Sequence, residues 1–339
     1  MKTEHIFVPY GKQGRELGLS LVEIMIALTI GLIMLGAIFH VYLSGRSSYR
    51  LNEELARFQE NGRVVMDMLE RDLRMAAYSG CPSFNRVRAA STLNTVRENL
   101  RIGVYADQMP RTVIGTEAYS LRIVAPVLET GIAGDVLASA ASASLAGESD
   151  NVRAGDYVVI HDCDEGELFS ISAVAAAAAG GSMDLTLDRN PSRDFSSTLG
   201  RAFVLPNHGG SVGILYDIVD VTVPGGETVG ALRRNGEELL TGVEAFRICL
   251  GQGNAYTAEY GKSELGDYVR AETISDDAER AKVIAVQVDL LLASSSAIAL
   301  EKAEAQSFSL CGDRTDFTKT DRRLRKLFST TVNLRNKLR

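Results

Sequence analysis

The sequence predicts an α+β fold, in which a long N-terminal helix packs on a mainly antiparallel β-sheet domain. Three observations predict it. Residues 19–39 form an apolar run of 21 residues whose only charge is Glu23. A helical repeat of apolar side chains follows, reaching Ala77. Beyond Cys81, short β-branched runs alternate with Gly, Asp, Asn and Pro, which is the punctuation of strands and turns. With 339 residues, 45% of them hydrophobic and 23% charged, the chain has the composition of a folded protein rather than a disordered one.

Residues 1–18 are polar and mildly basic, with Lys2, Lys12 and Arg15 against Glu4 and Glu16. The apolar run after them would make roughly 31 Å of helix at 1.5 Å per residue, enough to cross a bilayer core. A secretory signal peptide has a shorter apolar stretch that precedes its cleavage site. Here a glycine, Gly18, stands immediately before the run, so a cut there would leave the apolar segment on the mature chain. No second apolar span follows, and residues 40–339 are expected on one side of the membrane. Glu23 is the anomaly. A carboxylate in an apolar helix costs several kcal/mol unless it is protonated or paired, which marks it as functional unless it lies near enough the helix end to reach headgroups.

The helix is expected to continue to Tyr78. Leu51, Leu55, Phe58, Val65, Leu69 and Leu73 recur at helical spacing and define a buried stripe. Glu53/Arg57, Asp67/Arg71 and Glu70/Arg74 are i,i+4 pairs in the favourable orientation. Ser79-Gly80 followed by Cys81-Pro82 ends the element. Gly31, Gly36, Gly45 and Gly62 are weak points, each costing up to about 1 kcal/mol against Ala. The chain thus divides into a leader (1–18), a transmembrane half-helix (19–39), an amphipathic half-helix (40–78) and a β-rich domain (79–339).

Strands are expected at 157–161, 168–174, 185–187, 202–205, 212–223, 232–234, 242–250, 282–292 and 328–334. The small-residue stretches 138–147 and 173–181 read as loops. The net charge of −7 argues against a nucleic-acid binder, which needs clustered Lys and Arg. From Asp313 onward, however, nine Lys/Arg face three Asp. That tail reads either as a charged strand pair or as a surface for RNA, anionic lipid or an acidic protein.

The four cysteines, Cys81, Cys163, Cys249 and Cys311, include no C-x-x-C pair, so neither a zinc ribbon nor a thioredoxin-like site is indicated. Wide spacing behind a membrane anchor fits two disulfides in an oxidising compartment, with three connectivities open. The sequence His161-Asp162-Cys163-Asp164-Glu165-Gly166 packs metal-ligating types together, but lacks the acid spacing of a calcium loop and reads as a charged hairpin turn. Gly261-Lys262-Ser263 fails as a P-loop because Tyr256 stands where the motif needs glycine. His208 before Gly209-Gly210 reads as a turn residue. No catalytic constellation, cofactor or resident metal is expected, and the chain is not read as an enzyme.

Gly18 followed by Leu19-Ser20-Leu21-Val22-Glu23 resembles the prepilin signal, with Leu19 in place of the commoner Phe. The resemblance implies cleavage after Gly18, N-methylation of Leu19, and a role for Glu23 in neutralising a neighbouring subunit's N-terminal amine as it enters a filament. Further along, Arg234-Asn235-Gly236 with Gly242-Val243-Glu244, the 282–292 run and the Thr331-Val332-Asn333-Leu334-Arg335-Asn336 ending resemble the PilW family of type IV pilus minor pilins. That likeness implies a Cys81–Cys163 bridge, leaving Cys249–Cys311. It also implies a structural role at or near the pilus tip, priming assembly. The expected partners are the major and other minor pilins, the prepilin peptidase, the inner-membrane assembly platform and a large tip adhesin. The expected location is the inner membrane with a periplasmic domain, then the pilus. A type II secretion minor pseudopilin and a tip adhesin using residues 85–150 or the alanine-rich stretches as its recognition surface are the rival readings; a membrane-tethered enzyme would need a role for Cys163.

Overall fold

The computed structural model describes residues 20–82, 84–108, 119–147, 150–176, 181–223, 226–253, 265–294, 302–312 and 317–338. The chain divides into two compact units, Met1–Glu53 and Glu54–Arg339. The helix α1 (Leu21–Arg74) has 54 residues, and the large apolar side chains of its N-terminal part, from Leu21 to Leu43, are exposed. A mean hydropathy of 2.5 makes that part long and apolar enough to cross a membrane.

In the second unit, β1 (Val87–Ala89), α2 (Asn94–Ile102), β2 (Val104–Gln108), β3 (Tyr119–Ile123), β4 (Leu128–Gly131) and β5 (Ser142–Ala146) come first. Then come β6 (Tyr157–His161), β7 (Gly166–Ala176), β8 (Ser182–Leu187), β9 (Arg201–Leu205), β10 (Asn207–His208) and β11 (Ser211–Val212). The remainder holds β12 (Ile214–Thr222), β13 (Thr228–Arg234), β14 (Glu237–Gly253), β15 (Leu265–Arg270), α3 (Asp277–Ala281) and β16 (Val283–Ala293). The strands β17 (Glu304–Phe308), β18 (Phe317–Asp321) and β19 (Arg325–Asn333) close the chain.

Two larger sheets form. One is ordered β19-β16-β14-β13-β12-β3-β2, with β15 added on β14. The other is ordered β4-β9-β6-β7-β8-β5, with β1 on β7. The β1–β7 pair is parallel, while the pairs along both sheet orders are antiparallel. The first sheet carries the helix: Phe58, Val65, Met66, Leu69 and Leu73 are buried in one core with Phe246 and other residues of its strands. Each such side chain contributes about 2 kcal/mol relative to exposure. Strand β16 is buried along most of its length because it lies between β14 and β19 and is covered on both faces. Leu290 and Leu292 join the helix-side core, while Leu291 packs with Ala245 and Leu310. The second sheet has a core of its own around Phe169, Phe195 and Leu185, so the region after Cys81 holds two packed layers rather than one.

The helix stops at Arg74, four residues before the expected Tyr78. The backbone turns at 75–77, with Ala77 at φ 58°, and the Ala77 amide donates at 3.0 Å to the carbonyl of Val124 just beyond β3, so this contact takes the amide that another helical turn would use. Of the expected surface pairs, Glu70–Arg74 forms, whereas Asp67 pairs with Arg63 at 3.8 Å. Both stretches expected as loops contain strand. Ser142–Ala146 pairs with β8, and β7 runs on to Ala176. Small side chains weaken the periodicity by which strands are read, yet Ala143 and Leu145 alternate inward. Of the tail's cations, Lys319, Arg325 and Lys326 sit in β18 and β19, Arg322 and Arg323 lie between those strands, and Arg335 and Lys337 lie in the turn that follows β19. Gly261, Lys262 and Ser263 lie outside the described residues, and His208 ends β10 at the Gly209-Gly210 turn.

Candidate functional site

Glu23 lies in the first turn of α1, exposed among exposed Leu21, Val22, Ile24 and Met25. Gly18 and Leu19, the expected cleavage and methylation residues, lie outside the described residues. Further along, Gly31, Gly36 and Gly45 have open space where a side chain would start. Gly62 differs: a Cβ there would overlap the ring of Phe328 on β19. A glycine that reads as a helix weak point is therefore a packing site, letting the aromatic ring lie against the helix backbone.

The C-terminal end of α1 is held by the residues of the family-like motifs. Asp72, on the last turn, is buried. Its carboxylate accepts from the Tyr216 hydroxyl at 2.7 Å and from Arg234 Nε at 2.8 Å. Burial, then the Asp72 charge, pushes the Tyr216 phenol well above its ordinary value, so it stays a donor. Next to Arg234, Asn235 and Gly236 both take positive φ, 55° and 86°, as a two-residue hairpin turn requires. The Asn235 side chain accepts the Leu215 amide at 2.8 Å. Asn336 donates from its amide to the carbonyls of Arg74 and Ala76 at 3.2 and 3.1 Å, covering carbonyls that a helix end leaves without intrahelical partners. The neighbouring Lys337 donates to the Arg280 carbonyl at 3.0 Å. Burial, with Arg101 nearby, pushes its amine down to about 7.

Glu244, the acid of the Gly-Val-Glu motif, meets Arg325. The guanidinium is 1% exposed and grips Glu244 at 2.5 and 2.9 Å and Asp321 at 2.6 and 2.7 Å. These bidentate, charge-assisted contacts hold Asp321 below the usual carboxylate range. They line a cleft of about 240 Å³ with Arg323 and Glu227, which are themselves ion-paired.

The structure joins Cys81 to Cys163, with Cα atoms 4.4 Å apart, and Cys249 to Cys311, at 6.1 Å. Cys249 is buried in β14, and the Cys311 amide donates to the Asp289 carboxylate at 2.6 Å. Cys163 takes φ 71° in the β6–β7 turn, where Asp162 accepts from the amides of Asp164 and Glu165. The residues 162–165 are the charged hairpin turn expected. His161, read from the sequence as part of that charged turn, lies instead at the end of β6 in the interior. It is fully buried, and neither ring nitrogen has a hydrogen-bond partner among the described residues. Burial lowers its pKa. A side chain at Gly80 would meet His161 Nε2 at 2.5 Å, so the Gly80-Cys81 corner closes directly over the imidazole.

Residues 225–336 match the family model of PilW, type IV pilus-assembly protein W. Among curated proteins, none matches the chain. Among solved structures, a type IV-like pilin from Thermus thermophilus is similar at 13% identity, with a TM-score of 0.29, over 83% of this chain and 98% of that one. The family match takes in Arg234, Asn235, Glu244, Arg325 and Asn336, so it falls on the residues that fasten the sheet to the helix end and knit the closing strands together. The chain thus carries a long apolar-then-amphipathic N-terminal helix ahead of an antiparallel domain, and residues 225–336 of that domain resemble the PilW family.

Proposed function

We propose that the chain is a minor pilin of a type IV pilus, incorporated at or near the tip and helping to prime assembly. The observation that carries this reading is Glu23, a single carboxylate in an exposed apolar helix, placed five residues after Gly18. In a filament it would pair with the N-terminal amine of a neighbouring subunit, replacing the cost of a lone charge in an apolar setting with a charge-assisted contact. Cleavage after Gly18 and methylation of Leu19 belong to the same proposal, as does a periplasmic C-terminal domain before assembly. The partners would be the major pilin, the other minor pilins and the assembly platform, with the prepilin peptidase acting first.

The test is mass spectrometry of the N-terminal peptide in membranes and in sheared surface filaments. A peptide running from N-methylated Leu19 to Arg46 in both fractions supports maturation and incorporation. The same peptide confined to membranes would favour a secretion pseudopilin, and an intact Met1 would sink the maturation claim. Glu23→Ala should be processed normally but incorporated poorly; normal incorporation would remove the docking role.

A further inference from the structure

The Cys81–Cys163 bridge and His161 form a cluster that a structural disulfide does not require. The cysteines are exposed, whereas the imidazole is fully buried beneath them. Its ring nitrogen and the two sulfurs lie within 4.8 Å of one another. A buried histidine normally satisfies at least one ring nitrogen, yet neither nitrogen of His161 has a hydrogen-bond partner among the described residues. A core position asking only for bulk would be served better by Phe or Leu, because burying unsatisfied polar atoms costs about 1–3 kcal/mol. The orphaned imidazole is fixed by the fold: β6 ends on it and Gly80 leaves room for its ring.

We propose that, in the dithiol state, Cys81, Cys163 and His161 bind a thiophilic transition-metal ion of the zinc(II) class. Two thiolates and one imidazole form a sulfur-and-nitrogen donor set suited to such an ion rather than to calcium or magnesium, which take oxygen ligands. Metal–sulfur and metal–nitrogen bonds of about 2.3 and 2.0 Å put tetrahedral donors roughly 3.5 Å apart, so small side-chain shifts convert the cluster into a site. The two exposed cysteines place the site next to solvent, and the fourth position is left to water. The chemistry balances. A dithiol reductant supplies two electrons and two protons to the S–S bond and closes to its own disulfide. The ion then displaces one proton from each thiol, forming two metal–sulfur bonds and one metal–nitrogen bond. The same three side chains would thus hold either a bridge or an ion.

The experiment uses the full chain in detergent micelles, reduced with a phosphine that is then removed without air, and titrated with cobalt(II) as the probe. We expect a thiolate-to-cobalt charge-transfer band saturating at one ion per chain. His161→Phe should weaken binding by about tenfold or more, the scale set even by losing a ligand's supporting contact. Cysteine-by-cysteine alkylation should show Cys81 and Cys163 protected by the ion while Cys311 is not. Cadmium NMR of the wild-type chain reads the donor set directly, should His161→Phe fail to fold. The proposal is overturned if the reduced chain unfolds, if no charge-transfer band forms, if His161→Phe binds as tightly as wild type, or if cadmium reports sulfur without nitrogen.

Discussion

The attachment of the sheet to the helix end can be tested at Asp72. Its carboxylate is the shared acceptor for Tyr216 and Arg234, with the side chains of Arg234 and Asp72 only 28% and 11% exposed. Asp72→Ala leaves a largely desolvated guanidinium and a fully buried phenol without that acceptor. Breaking such a pair by removing one partner costs about 3–5 kcal/mol, more than the pair's net worth, because a charge is left uncompensated. Arg234→Ala should cost a similar amount, and the double variant should fall about 2 kcal/mol short of the sum, which is the coupling energy of the pair. Tyr216→Phe removes one donor but leaves the ion pair, and should cost about 1 kcal/mol. The assay is denaturant unfolding of the full chain in micelles, followed by circular dichroism, since the chain has no tryptophan. An Asp72→Ala cost below about 1 kcal/mol, or additive single variants, would refute the claim that this buried cluster fastens the helix.

Other expectations follow from the same geometry. Gly62→Ala must displace the Phe328 ring and should destabilise by about 1 kcal/mol net, overpacking outweighing the helix propensity gained. Gly45→Ala meets open space and should stabilise the helix instead; thermal unfolding of the pair reads the opposite signs. Lys337 has a folded pKa of about 7 against an ordinary 10.5. The unfolded chain therefore binds the extra proton between those values, and stability should rise with pH across that window and level off below it. The slope from this group is no more than about 1.4 kcal/mol per pH unit, and Lys337→Met should remove it in paired pH titrations of stability. Non-reducing peptide mapping should recover Cys81 linked to Cys163 and Cys249 linked to Cys311; four alkylatable thiols would contradict the structure.

Much of this protein was legible in sequence because its signals are local. Hydropathy over residues 19–39 and the repeat from Leu51 to Leu73 give a helix with an apolar half and an amphipathic half, since helical spacing places those side chains on one stripe whatever the rest of the chain does. Alternation and β-branching similarly marked β6, β9 and β16 to within a residue or so. The alanine- and serine-rich β5 escaped, because side chains that small carry little periodic contrast. The helix end was misplaced for a different reason: whether Ala77 continues a helix depends on Val124, 47 residues away, and no local propensity encodes that competition.

What only the tertiary structure decided is which distant residues meet. Arg234-Asn235-Gly236 can be read as a turn from its own residues, but the Arg234 partner, Asp72, lies 162 positions earlier. Gly62 carries a helix-breaking propensity in sequence, and only the ring of Phe328 packed against it turns that apparent weakness into a fit. His161 belonged to a polar hairpin by composition, yet the fold buries it under the Cys81–Cys163 bridge with both nitrogens lacking a hydrogen-bond partner among the described residues. Burial and pairing are properties of long-range packing. A sequence therefore fixes the type of an element through its near neighbours, while the fold assigns each polar side chain its partner or leaves it without one.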